Sequence, residues 1–200
     1  AQSAGEKIVK AAALLMTLQV LDQLTGLVKQ MVIAAKFGTS ESMDAYLVAA
    51  TIVGLILVWV SLPINQTLIP MFRYDMARRG EKAAWANASI LFNNLVFILI
   101  AVSVTVGFLS PYLVDLVAPG FEQGTGALAT SLAQITIASV FFVGAGGVLS
   151  QIFFSYERFF QPGIVGMVDN LVVIAALLAL SYTYGIYGLA VAVVLGGVAN

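Results

Sequence analysis

The sequence predicts an all-α integral membrane protein, a bundle of six transmembrane helices. Composition is the first ground. Of the 200 residues 60% are hydrophobic and 10% are charged, where a soluble domain carries about 25% charged residues; the mean hydropathy of +0.99 agrees. The second ground is run length. A helix needs about 20 apolar residues to cross the hydrocarbon core, and such runs recur at about 11–36, 44–71, 84–109, 127–154 and 163–183, with a shorter one at 186–200. The third is periodicity, because stretches such as LLALSY (177–182) lack the apolar/polar alternation of a membrane-spanning strand.

The first run follows Lys7 and Lys10. It is longer than the apolar segment of a secretory signal, about 7–15 residues, and no A-x-A site closes it, so it reads as a retained helix. FGTSES (37–42) turns the chain into the second run, where Asp44 falls in the first turn, a position the helix dipole favours for an acid. Pro63 is expected to kink that helix between Ser61 and Asn65. RYDMARRGEK (73–82) reads as the next connection. The third run ends before SPYLVDLVAPGFEQGTG (110–126), in which VDLVAPGF is apolar enough for a short helix at the membrane interface. The fourth contains VGAGGVLS (143–150), read as a site of tight helix packing or flexing. YERFFQP (156–162) and TYG (183–185) bound the fifth. The chain starts without a methionine and stops inside an apolar run, so residues 1–200 are expected to be a single transmembrane unit from a longer chain.

With the N-terminus inside, Lys7, Lys10, Arg73, Arg78, Arg79, Lys82 and Arg158 share one side, 7 of the 9 basic residues. The positive-inside rule then places the N-terminus in the cytoplasm. There is no cysteine and no histidine, which excludes disulfides, thiolate metal sites and histidine general bases. A net charge of −1 gives no field that would attract nucleic acid. No P-loop, GxSxG elbow or cluster of metal ligands is present, so neither an enzyme nor a metal or organic cofactor is expected.

The informative exception to apolarity is LDQLTGLVKQ (21–30). At 100° per residue Asp22, Gly26 and Lys29 lie on one side of the helix, bordered by Gln19, Gln23 and Gln30. Asp22 and Lys29 are separated by about 10.5 Å of rise, too far for a tight direct pair. Charges at this depth cost at least about 2.5–3.5 kcal/mol each on insertion scales. The stripe therefore either packs against polar groups of another helix or faces a wet cavity. Asp169 and Asn170, about two turns into the fifth run, are the other intramembrane candidates. Asn87, Asn93, Asn94, Gln134 and Gln151 read as interhelical hydrogen-bond partners.

AAKFGTSESMDAYLVA (34–49) resembles the A-x-x-F-G-x-S-x-x-x-D-A-F signature of the MurJ/MviN family of flippases for the peptidoglycan precursor lipid II. IPMF (69–72), APGF (118–121), ERF-x-x-P (157–162), Asp169–Asn170 and GIYGLAVAVVLGG (185–197) follow in the family's order. Phe37, Gly38, Asp44, Pro119, Gly120, Phe121 and Arg158, together with Gly26, are the residues that this resemblance marks as structural signatures. It implies the fold of the multidrug/oligosaccharidyl-lipid/polysaccharide exporters, two six-helix lobes around a central cavity, with this chain as the N-terminal lobe. The sequence departs from the family where Lys29 and Gln30 replace an arginine and an acid, and where LVWVSLPINQTLIP (57–70) lacks the arginine and glutamate of the second helix.

The resemblance implies a flippase of the bacterial cytoplasmic membrane that moves a lipid-linked saccharide by alternating access. Its partners would be membrane lipids, an amphiphilic glycolipid and a C-terminal lobe. Lys29 would meet phosphate; Asp22, Gln19, Gln23 and Gln30 would meet sugar or tune Lys29; membrane potential, protons or sodium would drive the cycle. A cation-coupled drug or metabolite exporter, with Asp22 and Asp169 carrying the ion, is the alternative within the superfamily. A non-transporting membrane scaffold with a dry, packed stripe is the alternative outside it.

Overall fold

The protein is described from a computed structural model covering residues 4–200; the side chains of residues 4, 5, 7, 8, 11 and 65, Lys7 and Asn65 among them, lie outside the described residues. Helices α1 (Ala4–Phe37), α2 (Glu41–Arg79), α3 (Glu81–Val117), α4 (Gln123–Thr136), α5 (Ala138–Ser155), α6 (Phe160–Tyr184) and α7 (Ile186–Ala199) account for nearly all of it. The all-α expectation holds. Four helical stretches are long and apolar enough to cross a membrane: α2, α3, α4 with α5, and α6. Among the described residues length and apolarity thus mark four of the expected six. With 14 residues α7 is short, and α1, interrupted by Gln19, Asp22, Gln23, Lys29 and Gln30, is not among the four.

The helices overrun the apolar runs, because hydropathy marks what lipid can cover and not where backbone hydrogen bonding stops. RYDMARR, expected in a connection, is the last part of α2, and a single residue, Gly80 with φ 85°, separates it from α3. The segment expected to form an interfacial helix instead splits: its first half belongs to α3, which continues through Pro111 to Val117, and APGF (118–121) forms the turn after it. Proline lacks the N–H that would bond the carbonyl four residues back. That carbonyl, on Gly107, accepts instead from Ser110 Oγ at 2.8 Å and from Gln134 Nε2 at 3.2 Å, so the helix survives. The fourth run is interrupted at Ile137, between α4 and α5. There the Thr136 hydroxyl bonds the Leu132 carbonyl and Ser139 Oγ bonds the Thr136 carbonyl, side-chain bonds of the kind that compete with a regular helix.

Start signals are local. Ser40 caps α2 by accepting from the Met43 N–H at 3.3 Å, and Glu41 and Asp44 occupy its first turn. Gly38, with φ 57°, turns the chain out of α1, a conformation glycine adopts without a Cβ clash.

In packing, α1 rests on α6, α6 on α7, and α2 on α3, α4 and α5. The largest apolar cluster gathers Tyr46, Ile52, Leu132, Leu177 and Leu189 from α2, α4, α6 and α7, with Ile33 from the end of α1. A second, around Leu68, Phe72, Ala88 and Ile152, occupies the opposite end of the bundle, where α2 meets α3 and α5. A third, around Val53, Leu99 and Val140, lies where α2, α3 and α5 meet. Gly144 of the VGAGGVLS segment is buried, and a Cβ there would come within 2.8 Å of the Leu99 side chain. The segment is therefore a close-packing site.

Candidate functional site

The polar stripe of α1 meets α6, and the two helices run parallel, since Leu18, Asp22 and Lys36 lie against Gly163, Gly166 and Tyr182 in that order. Glycine makes the approach possible. A Cβ on Gly163 would lie 2.5 Å from Leu18 Cδ1, and one on Gly166 would lie 2.5 Å from Asp22 Oδ1. Small residues of this kind let membrane helices come close enough for side chains to hydrogen-bond across the seam.

Two linkages follow from that approach. The buried Asn170 side chain directs Nδ2 at Asp22 Oδ1 (3.0 Å), the Asp22 carbonyl (3.3 Å) and Thr25 Oγ1 (3.3 Å). Further along, Lys29 Nζ lies 3.6 Å from Asp169 Oδ2, with the side chains 22% and 23% exposed. Lys29 is thus matched by an acid on another helix, since Asp22 lies two turns away on its own helix. Asp22 makes no ion pair among the described residues.

Asp169 also faces inward. Its Oδ1 occupies the space above Gly196 of α7, where a Cβ would lie 2.5 Å away. It lines a cavity of about 240 Å³ with Tyr46 of α2 and with Thr136 and Ser139, which flank the α4–α5 interruption. Hydroxyls and a carboxylate in a half-open, mostly apolar cleft can hold water, a proton or a small cation. The one acid therefore connects the α1 stripe to this cavity.

Gly26 lies in the seam with its Cα facing Asn170, where an added Cβ would be 3.5 Å from Nδ2. The structure thus gathers Asp22, Gly26, Lys29, Asp169 and Asn170. Gln19, Gln23 and Gln30 stay outside the clasp as an exposed column beside it. Of the signature residues, Phe37 and Phe121 are half-buried against the largest apolar cluster, Asp44, Pro119, Gly120 and Arg158 are exposed, and Gly38 ends α1. Sequence reasoning passed over Thr25, Gly163, Gly166, Gly196, Tyr46, Thr136 and Ser139. The Gly163-x-x-Gly166 spacing on one face of α6 was the available signal for close approach.

The sequence profile of the family described as Lipid II flippase MurJ matches residues 33–200. The chain is 27% identical over 183 residues to the lipid II flippase MurJ of Burkholderia cenocepacia, covering 89% of this chain and 36% of that protein. It is 23% identical over 177 residues to that of Thermosipho africanus, covering 88% and 36%. The solved structure of a lipid II flippase MurJ in an inward closed conformation superposes with a TM-score of 0.77 at 22% identity, over 93% of this chain and 40% of that one. The chain thus spans little more than a third of the length of the curated relatives. A profile match over most of the sequence, on a helical fold that superposes on the same family's solved structure, makes this chain a member of the MurJ family.

Proposed function

We propose that this chain is one lobe of a flippase that carries a lipid-linked saccharide precursor across the bacterial cytoplasmic membrane by alternating access. In that reading α1, α2, α3, α4 with α5, α6 and α7 form six spans, the N-terminus lies in the cytoplasm, and a second lobe closes the other side of the cavity. The observation that carries it is the α1–α6 clasp beside an exposed glutamine column. Three charges at mid-helix are tolerated where they serve a polar pathway. Lys29 holds Asp169 with one of its donors and keeps others for a phosphate oxygen. Gln19, Gln23 and Gln30 offer amide donors and acceptors suited to sugar hydroxyls.

The cavity behind Asp169 favours a second reading, in which a proton or sodium ion entering among Tyr46, Thr136 and Ser139 drives the lobe. In that case Asp169→Asn would abolish ion dependence while Lys29→Ala spared transport.

The test is labelling of single cysteines at 19, 23, 26 and 30, in the natural full-length chain with any cysteine outside residues 1–200 replaced, with a membrane-impermeant thiol reagent applied from each side. Labelling of these positions, with Leu18 and Leu24 protected, is expected. Protection of all four from both sides would make the stripe structural packing and leave a scaffold role.

A further inference from the structure

The end of the bundle opposite the largest apolar cluster carries a furrow that the α1–α6 clasp does not use. Two hollows of about 370 and 210 Å³ share Trp85, Leu149 and Ile152, and so run together between α3 and α5. One part continues over Ala88, Ser89, Phe92 and Asn93. The other ends at Glu81, Tyr156 and Arg158. Leu149, Phe153 and Trp85 are 51%, 36% and 42% exposed, so the furrow opens on the surface of the bundle.

Its polar end is rigidly built. Trp85 Nε1 donates to the Tyr156 hydroxyl at 3.0 Å, and that hydroxyl donates to Glu81 Oε1 at 2.9 Å. The Trp85 and Tyr156 rings stack at 6.3 Å, and Phe72 packs edge-on against both. Tryptophan and tyrosine at one end of a span mark the headgroup level.

Arg158 is held at this end by the backbone. Glu157 adopts φ 59°, a left-handed conformation usually given to glycine after a helix and strained for a residue with a Cβ. The Arg158 N–H then bonds the Phe153 carbonyl at 3.0 Å, and its guanidinium makes no ion pair among the described residues.

We infer that the furrow between α3 and α5 binds a phospholipid whose headgroup bears both a phosphate and a primary ammonium, with an acyl chain along Leu149 and Phe92, the phosphate at Arg158 and the ammonium at Glu81. Guanidinium pairs well with phosphate oxygens. The second oxygen of Glu81 is left to accept from an ammonium, a charge-assisted bond that a quaternary choline cannot donate and that a glycerol hydroxyl replaces only with a weaker neutral donor. The two opposite charges lining one mouth thus select a zwitterion with N–H donors.

The test uses the natural full-length chain with Trp85 as its only tryptophan, in phosphatidylcholine vesicles containing small fractions of phosphatidylethanolamine, phosphatidylcholine or phosphatidylglycerol with brominated acyl chains. Brominated phosphatidylethanolamine is expected to half-quench Trp85 at about a twofold to fivefold lower fraction than the other two, as suits exposed ion pairs. Arg158→Gln and Glu81→Gln should each erase that preference, and Arg158→Lys should keep most of it. Equal quenching by the three lipids, stronger quenching by phosphatidylglycerol, or a preference that survives both neutral substitutions would overturn the assignment.

Discussion

Helix α6 takes part in two seams of opposite character. Toward α7 it presents Val173, Leu177 and Ser181 to Leu189, Ala190 and Ala192, all buried and mostly apolar. Toward α1 it presents Gly163, Gly166, Asp169 and Asn170 to a half-buried polar stripe. Lipid tails are as apolar as leucine, so the α7 seam is held by close fit of small side chains, which has one good solution. The α1 seam is held by bonds that water or a polar solute can replace one for one. Under the proposed function, the dry seam would keep the lobe's shape while the wet one responds to cargo.

The dry seam should fail hardest when its fit is spoiled. A Cβ on Gly188 would lie 2.8 Å from the backbone carbonyl carbon of Leu180, at the start of the α6–α7 hairpin. No rotamer change can relieve a clash with backbone. Gly188→Val is therefore expected to destabilise by about 3 kcal/mol, the upper end for overpacking, read from unfolding of the natural chain in detergent. A loss as small as that from a polar change at the α1 seam would put the two seams on an equal footing and remove the distinction.

Breaking the ion pair should come next. Removing one partner of a fully buried pair costs about 3–5 kcal/mol because a bare charge is left behind. Lys29 and Asp169 are each about a fifth exposed, so water screens part of that and about 1–2 kcal/mol is expected for Lys29→Met or Asp169→Asn alone. Combining them should recover most of the loss in a double-mutant cycle. Additive losses would mean that the two groups hold other partners, and that Asp169 belongs to the cavity and not to the clasp.

The difference between the seams also explains what could be read in the sequence. The stripe on α1 was legible because 100° spacing alone places Asp22, Gly26 and Lys29 together. The partner was not, since Asn170 and Asp22 are 148 positions apart and no local pattern pairs them. Helix lengths were misread for a similar reason. Continuation of α3 past Pro111 depends on Gln134, from a different helix, taking up the Gly107 carbonyl. The interruption at Ile137 escaped notice because the stretch immediately around it holds no proline, glycine or charge to mark a break, and the hydroxyls of Thr136 and Ser139, bonding back onto their own helix, are ordinary inside membrane helices.

The smallest structural effect should separate holding from carrying. Gln23 and Gln30 are exposed, so Gln23→Ala or Gln30→Ala should change stability by less than about 0.5 kcal/mol. If the column meets sugar hydroxyls, each substitution removes one neutral hydrogen bond of about 1 kcal/mol, roughly a fivefold loss in affinity. Translocation of a fluorescent polyprenyl-pyrophosphate saccharide into vesicles should then fall severalfold at limiting substrate and recover at saturation. That combination can arise only from contact with the cargo, because the same substitutions leave both seams of α6 untouched. Unchanged translocation at every substrate level would confine recognition to Lys29 and its neighbours in the clasp, and the glutamines would then serve only to keep α1 wet.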